Sequence, residues 1–201
     1  MDPFHVTFVV LFLAWAVVRI DYRLKARTGG KEEKRAEPLT TLAKIFVGFP
    51  AMLAVLVYMF RPQLMNWSSV PLRPAWRWMG AAILAVGVAG LTWVHWVLGK
   101  NFSSELRIRS DQTLVTSSPY RYVRHPMYSA SFLLFLGMGL LAANWFIGAA
   151  GLLAYFLIVL SRVSQEEKMM ANIFGDQYRR YASTTGRFLP RVRATGPRMI
   201  S

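Results

Sequence analysis

Two polar clusters bracket a long apolar stretch of this chain. The first reads Arg121-Tyr122-Val123-Arg124-His125-Pro126-Met127-Tyr128, and the second is Arg162 followed by Glu166-Glu167. No charged residue lies between Met127 and Leu160. If that stretch folds as a hairpin, both clusters return to one membrane face. Guanidinium groups there can grip a carboxylate or phosphate with paired N–H donors. Adjacent carboxylates can receive a cationic ligand that carries hydroxyls, and a histidine can exchange a proton near neutral pH. Such a face suits a charged cofactor held beside a lipid-soluble substrate.

Each residue also has a plainer use. Pro126 suits the first turn of a helix, where its missing N–H is not needed. Arg121 and Arg124 can anchor a helix at the interface. Arg162 and Glu166 have the spacing of an ordinary helix ion pair. Tyr120, Tyr122 and Tyr128 fit an aromatic belt, as do Trp93 and Trp96. His95 lies in an apolar segment, where a hydrogen bond to a neighbouring helix is expected before a proton role.

The elements that must position these residues are membrane helices. Of the 201 residues, 54% are hydrophobic, too many for an ordinary soluble domain. Apolar segments stand at 4–18, 42–60, 78–98, 127–143 and 145–160. A span needs about 17–25 residues, so the second and third suffice and the others are short. Asn144, after Ala142 and Ala143, predicts a tight turn between the last two. The expected fold is all-α: a polytopic membrane protein with five transmembrane helices and a cytosolic C-terminal helical segment.

Charge sets the orientation. Lysine and arginine number eight in 19–44, three in 61–77, five in 100–124 and eight in 162–198. Five spans put 21 of these on one side and three on the other, as expected when the rich side is cytoplasmic. The net charge of +14 then reflects basic loops facing an anionic leaflet, with no nucleic-acid partner. Ala14-Trp15-Ala16 has the look of a signal cleavage site. No basic residue precedes Phe4 and Arg19 follows closely, so a retained first span is expected. Residues 31–37 read as a solvated loop. Residues 162–174 read as a helix leaving the bilayer, Gly175-Asp176 as a stop and restart, and 176–182 as a short helix with Tyr178 and Tyr181 on one face.

Several chemistries are excluded. Cysteine is absent, which removes disulfides and thiolate chemistry. No glycine-rich nucleotide loop follows a strand, and Gly137-Met138-Gly139 reads as helix packing. His5, His95 and His125 are scattered, so no metal is expected. Leu98-Gly99 reads as a helix stop.

Taken in order, Leu114-Val115-Thr116-Ser117, Tyr120, Arg124-His125-Pro126, Tyr128, Arg162, Glu166-Glu167, Phe174-Gly175-Asp176, Tyr178, Tyr181 and Pro190 resemble the isoprenylcysteine carboxyl methyltransferase family of integral membrane enzymes. The resemblance covers the half from Leu98 onward. It departs at Ser118, where the family usually has glycine, which bears on the local turn more than on the chemistry. It implies a single domain over 1–201, with three spans in 1–98 and a cofactor-binding catalytic half in 99–201. It also implies S-adenosylmethionine as cofactor, held at the cytosolic face by Tyr120, Arg124, His125, Pro126, Tyr128, Glu166 and Glu167, with Arg162 catalytic. The implied partners are membrane lipids and a lipophilic or prenylated acceptor. The C-terminal pattern is also similar to phospholipid N-methyltransferases and, more loosely, to NADPH-dependent membrane sterol reductases.

Methyl transfer from a sulfonium is an in-line displacement, helped by positioning and electrostatics. A carboxylate acceptor is already ionised and needs only orientation, which an arginine supplies. An amine acceptor must lose a proton to Glu166, Glu167 or His125. The alternatives are thus carboxyl O-methylation, phospholipid N-methylation, an NADPH-linked reduction and a non-catalytic membrane protein. Binding of S-adenosylmethionine against NADPH separates them.

Overall fold

The computed structural model describes residues 2–27, 42, 44–98 and 113–191. Among the described residues the longer α-helices are α1 (Pro3–Arg27), α2 (Phe49–Phe60), α3 (Pro74–Leu98), α4 (Pro126–Ala142) and α5 (Trp145–Thr184). A π-helical turn, Lys44–Gly48, leads into α2, and a 3-10 segment, Pro62–Ser68, leaves it. Among the described residues no strand forms, and the only sheet-like pairings are isolated bridges. The expected loop at 31–37 and the segment after Leu98 fall outside the described residues.

Three helical stretches are long and apolar enough to cross a membrane: Pro3–Tyr22, Pro74–Leu98 and Trp145–Thr184. The apolar helices Ile45–Phe60 and Pro126–Ala142 are shorter. At 1.5 Å per residue they reach about 24–26 Å, a few ångströms less than the hydrocarbon core. Helix α5 has 40 residues, about 60 Å of helix, roughly twice what a hydrocarbon core needs. The sequence predicted three pieces of α5, and the first two run on without a break. Its interruption falls at the predicted place: Gly175 has φ +50°, where a side chain would be strained.

The core forms where α3 and α4 press together. Gly137 makes this possible, because a Cβ there would lie 2.5 Å from the backbone nitrogen of Leu84. Leu84, Leu134 and Leu141 are fully buried between the helices. Phe8 and Phe12 of α1 and Tyr58 of α2 close the cluster from the other side. His95 is buried in α3. Its Nδ1 sits 2.6 Å from the Leu91 carbonyl of its own helix, and its ring packs on Tyr22.

The turn between α4 and α5 is as tight as expected. Ala143 takes the left-handed conformation, with φ +50°. Asn144 then caps α5, its Oδ1 accepting from Ile147 N at 3.0 Å. Its amide donates to the Met65 carbonyl at 3.1 Å and to Ser68 Oγ at 2.8 Å. This buried side chain therefore fixes both the hairpin and the 3-10 segment. Replacing Asn144 with alanine is expected to destabilise the protein by about 1–3 kcal/mol, since buried partners lose their bonds. Asn144→Asp keeps the cap but sets a buried carboxylate oxygen against the Met65 carbonyl, so it should cost at least as much. Thermal unfolding in detergent measures this, and an unchanged midpoint in the alanine variant would rule the anchoring role out.

Candidate functional site

The hairpin of α4 and α5 brings the two polar clusters together. Pro126 opens α4 at its first turn, with His125 as the residue before it. Two turns beyond its apolar part, α5 presents Glu166 and Glu167 to that opening. Tyr128 Oη donates to Glu166 Oε1 at 2.8 Å. Arg162 Nε lies 3.6 Å from the same oxygen, the ion pair read from the spacing. His125 Nδ1 faces Glu166 Oε2, also at 3.6 Å.

Glu167 is the more densely bonded carboxylate. Its Oε1 accepts from Arg124 Nε at 3.2 Å and Nη2 at 2.9 Å, from His125 Nε2 at 3.2 Å and from Arg187 Nε at 3.1 Å. Arg187 Nη2 donates to Oε2. Burial pushes this carboxyl up, but donors from Arg187, Arg124 and His125 outweigh it and hold the group down at about 2. Burial acts on His125 in the other direction. It disfavours the imidazolium and lowers its pKa against the pull of Glu167. His125 is thus neutral near neutral pH. Donating Nε2–H to Glu167 leaves Nδ1 as an acceptor turned toward Glu166.

Arg124 also ties the α5 terminus down, donating from Nη1 to the carbonyls of Ala182 at 2.6 Å and Thr185 at 2.8 Å. Tyr120 contributes its carbonyl, which accepts from Tyr181 Oη at 2.7 Å. Burial raises the phenol of Tyr120 above its usual range. Burial likewise pushes Tyr178 and Tyr181 up to about 12, so they remain protonated donors. Tyr122 stays exposed, as a belt residue would.

Of the predicted residues, Arg124, His125, Tyr128, Arg162, Glu166 and Glu167 form one connected group. Pro126 shapes it, and Tyr120 joins through its backbone. The sequence reading missed Arg187 and Ser129. Arg187 was one basic residue among eight in 162–198, and no spacing distinguished it. Ser129 Oγ donates to the Phe188 carbonyl at 2.6 Å, which joins two segments too far apart for any pattern to link. Among the described residues no group of histidines and carboxylates could hold a metal.

An apolar helical hairpin with arginine, histidine and paired glutamates at its mouth can hold a charged ligand beside an apolar face. The family model for phospholipid methyltransferase matches residues 75–177, and the chain belongs to that family. It is 29% identical over 57% of its length to the cobalt-zinc-cadmium resistance protein CzcN of Cupriavidus metallidurans, covering 52% of that protein. It is 30% identical over 52% of its length to the protein-S-isoprenylcysteine O-methyltransferase of Schizosaccharomyces pombe, covering 41% of it. The chain thus spans about half the length of these relatives or less. A solved structure of the eukaryotic intramembrane Ras methyltransferase ICMT shares the fold, with a TM-score of 0.55 and 24% identity over 78% of this chain and 53% of that one.

The bonding of Glu167 predicts an acid dependence. Its carboxyl lies lowered from 4.5 to about 2 in the folded state. The stabilisation is therefore complete above about pH 4.5 and lost as pH falls toward 2. Wild-type protein in detergent should lose thermal stability across that window. Glu167→Gln should start lower at neutral pH and lose less on acidification. Parallel pH profiles for the two proteins would contradict this.

Proposed function

We propose that this chain is a multi-pass membrane methyltransferase that uses S-adenosylmethionine at the cytoplasmic face. All five helices cross the bilayer in this reading, with the N-terminus outside and residues 1–201 forming one domain. The charge split of 21 to three supports that orientation. The observation that carries the reading is the convergence of Tyr128, Arg162 and Glu166 at the mouth of a charge-free hairpin.

The residues suit such a cofactor. Glu166 Oε2 and the Nδ1 lone pair of neutral His125 are two acceptors turned toward each other, a match for an ammonium group. Tyr128 and Glu166 offer further contacts for hydroxyls, and Tyr120, Arg124 and Pro126 shape the surroundings. When bound, S-adenosylmethionine supplies an electrophilic methyl group. Burial keeps His125 neutral, and Glu167 orients it. Arg162 repels a sulfonium, so it is useful facing an acceptor carboxylate, which it orients with its planar fork.

The acceptor is a lipophilic carboxylate of the isoprenylcysteine kind, in keeping with the named relative from Schizosaccharomyces pombe. A second reading, N-methylation of a phospholipid amine, is favoured by the family model and by a neutral His125 able to accept the amine's proton. Mass spectrometry of labelled products distinguishes an ester from an N-methyl headgroup.

Calorimetry should show binding of S-adenosylmethionine and none of NADPH; the reverse would overturn the assignment. Arg162→Ala should lower turnover about a hundredfold while cofactor affinity changes little, on the scale of losing one preorganised donor. Lysine should rescue it poorly. A variant that fails only because the cofactor no longer binds would refute the acceptor role. For the topology, cysteines at the exposed positions Ser69 and Thr184 should label from opposite sides of the membrane. Labelling from one side would reject five spans.

A further inference from the structure

Residues 186–188 run beside the start of α4 as a short strap. Gly186 bridges in parallel to Val123. Arg124 N donates to the Gly186 carbonyl at 2.8 Å, and His125 N to the Arg187 carbonyl at 3.0 Å. The Phe188 ring lies 5.8 Å from that of His125. The chain turns back sharply here, since a Cβ on Gly186 would meet the Leu189 carbonyl oxygen at 1.9 Å.

A carboxylate has about four lone-pair sites. Glu167 Oε1 already receives donors from Arg124, His125 and Arg187, and Oε2 one from Arg187, so little of this carboxylate is left for a ligand. Arg187 is not needed to neutralise the cluster, because Arg124 and Arg162 already balance Glu166 and Glu167. Its remaining consequence is mechanical: it ties the strap to α5. It also lies beyond residue 177, where the family match ends.

We propose that Arg187 is a positioning residue, latching strap 186–188 to Glu167 across His125, so that Glu167 anchors the wall of the cofactor site while Glu166 meets the ligand. The cofactor part of this rests on the function proposed above. The latch itself does not. Arg187 is half exposed, at 48% of its side chain, so each effect should be modest, about fivefold.

Hydrogen exchange of the full-length protein in detergent, without cofactor, reads the latch directly. Backbone amides of Arg124 and His125 should exchange about fivefold faster in Arg187→Gln. Arg187→Lys should restore part of the protection, and Gly186→Ala, which displaces the strap without touching Glu167, should lose it again. Unchanged protection in Arg187→Gln overturns the latch. In parallel, KM for S-adenosylmethionine should rise about fivefold with kcat nearly constant. A fall in kcat alone would overturn the positioning role. Altered exchange in a protein that never transfers methyl groups would keep the latch and reject only the function assigned to the site.

Discussion

A carboxylate removed from water is costly unless donors surround it, and Glu167 meets that condition with groups from two other segments. Arg124 and His125 come from the loop before α4, Arg187 from the tail, and Glu167 itself from α5. The rest of the site follows. His125 is kept neutral with its Nε2–H aimed at Glu167, and Glu166 is left on the neighbouring face of the helix beside Tyr128 and Arg162.

That cluster can form only because the apolar hairpin is rigid and short. Helix α4 packs so closely on α3 that Gly137 has no room for a side chain. At the far end, Asn144 fixes the turn by bonding to Ile147, Met65 and Ser68. A buried amide with all its bonds made gives the turn one geometry. The polar ends of α4 and α5 then meet at one height.

The two adjacent glutamates illustrate how little spacing alone says about role. They differ by one position, which on a helix is a rotation of about 100°. That rotation turns Glu167 to two arginines and Glu166 to a phenol, an imidazole and an arginine. One environment makes a structural anchor with a strongly acidic carboxyl; the other leaves a carboxylate suited to a ligand.

The residues themselves dictated much of this protein. Hydrophobic runs located the helices, because a backbone in lipid must bond internally. The absence of charge from Met127 to Leu160 implied a hairpin, and proline at 126 and Asn144 marked its two ends by their local preferences. Glycine at 175 marked the break in α5 for the same reason. Local rules showed the helix running on from Arg162 to Gly175, since no residue between them stops it, but they could not show what its end would meet. Nor could they reveal Arg187. Its partner is twenty positions away, Arg180 and Arg191 offer the same charge nearby, and only the turn at Gly186 aims it at Glu167. Periodicity and capping act over one or two helical turns and are written in the chain. Which cation reaches a shared carboxylate depends on how the chain closes in three dimensions, and the tertiary structure alone decided that.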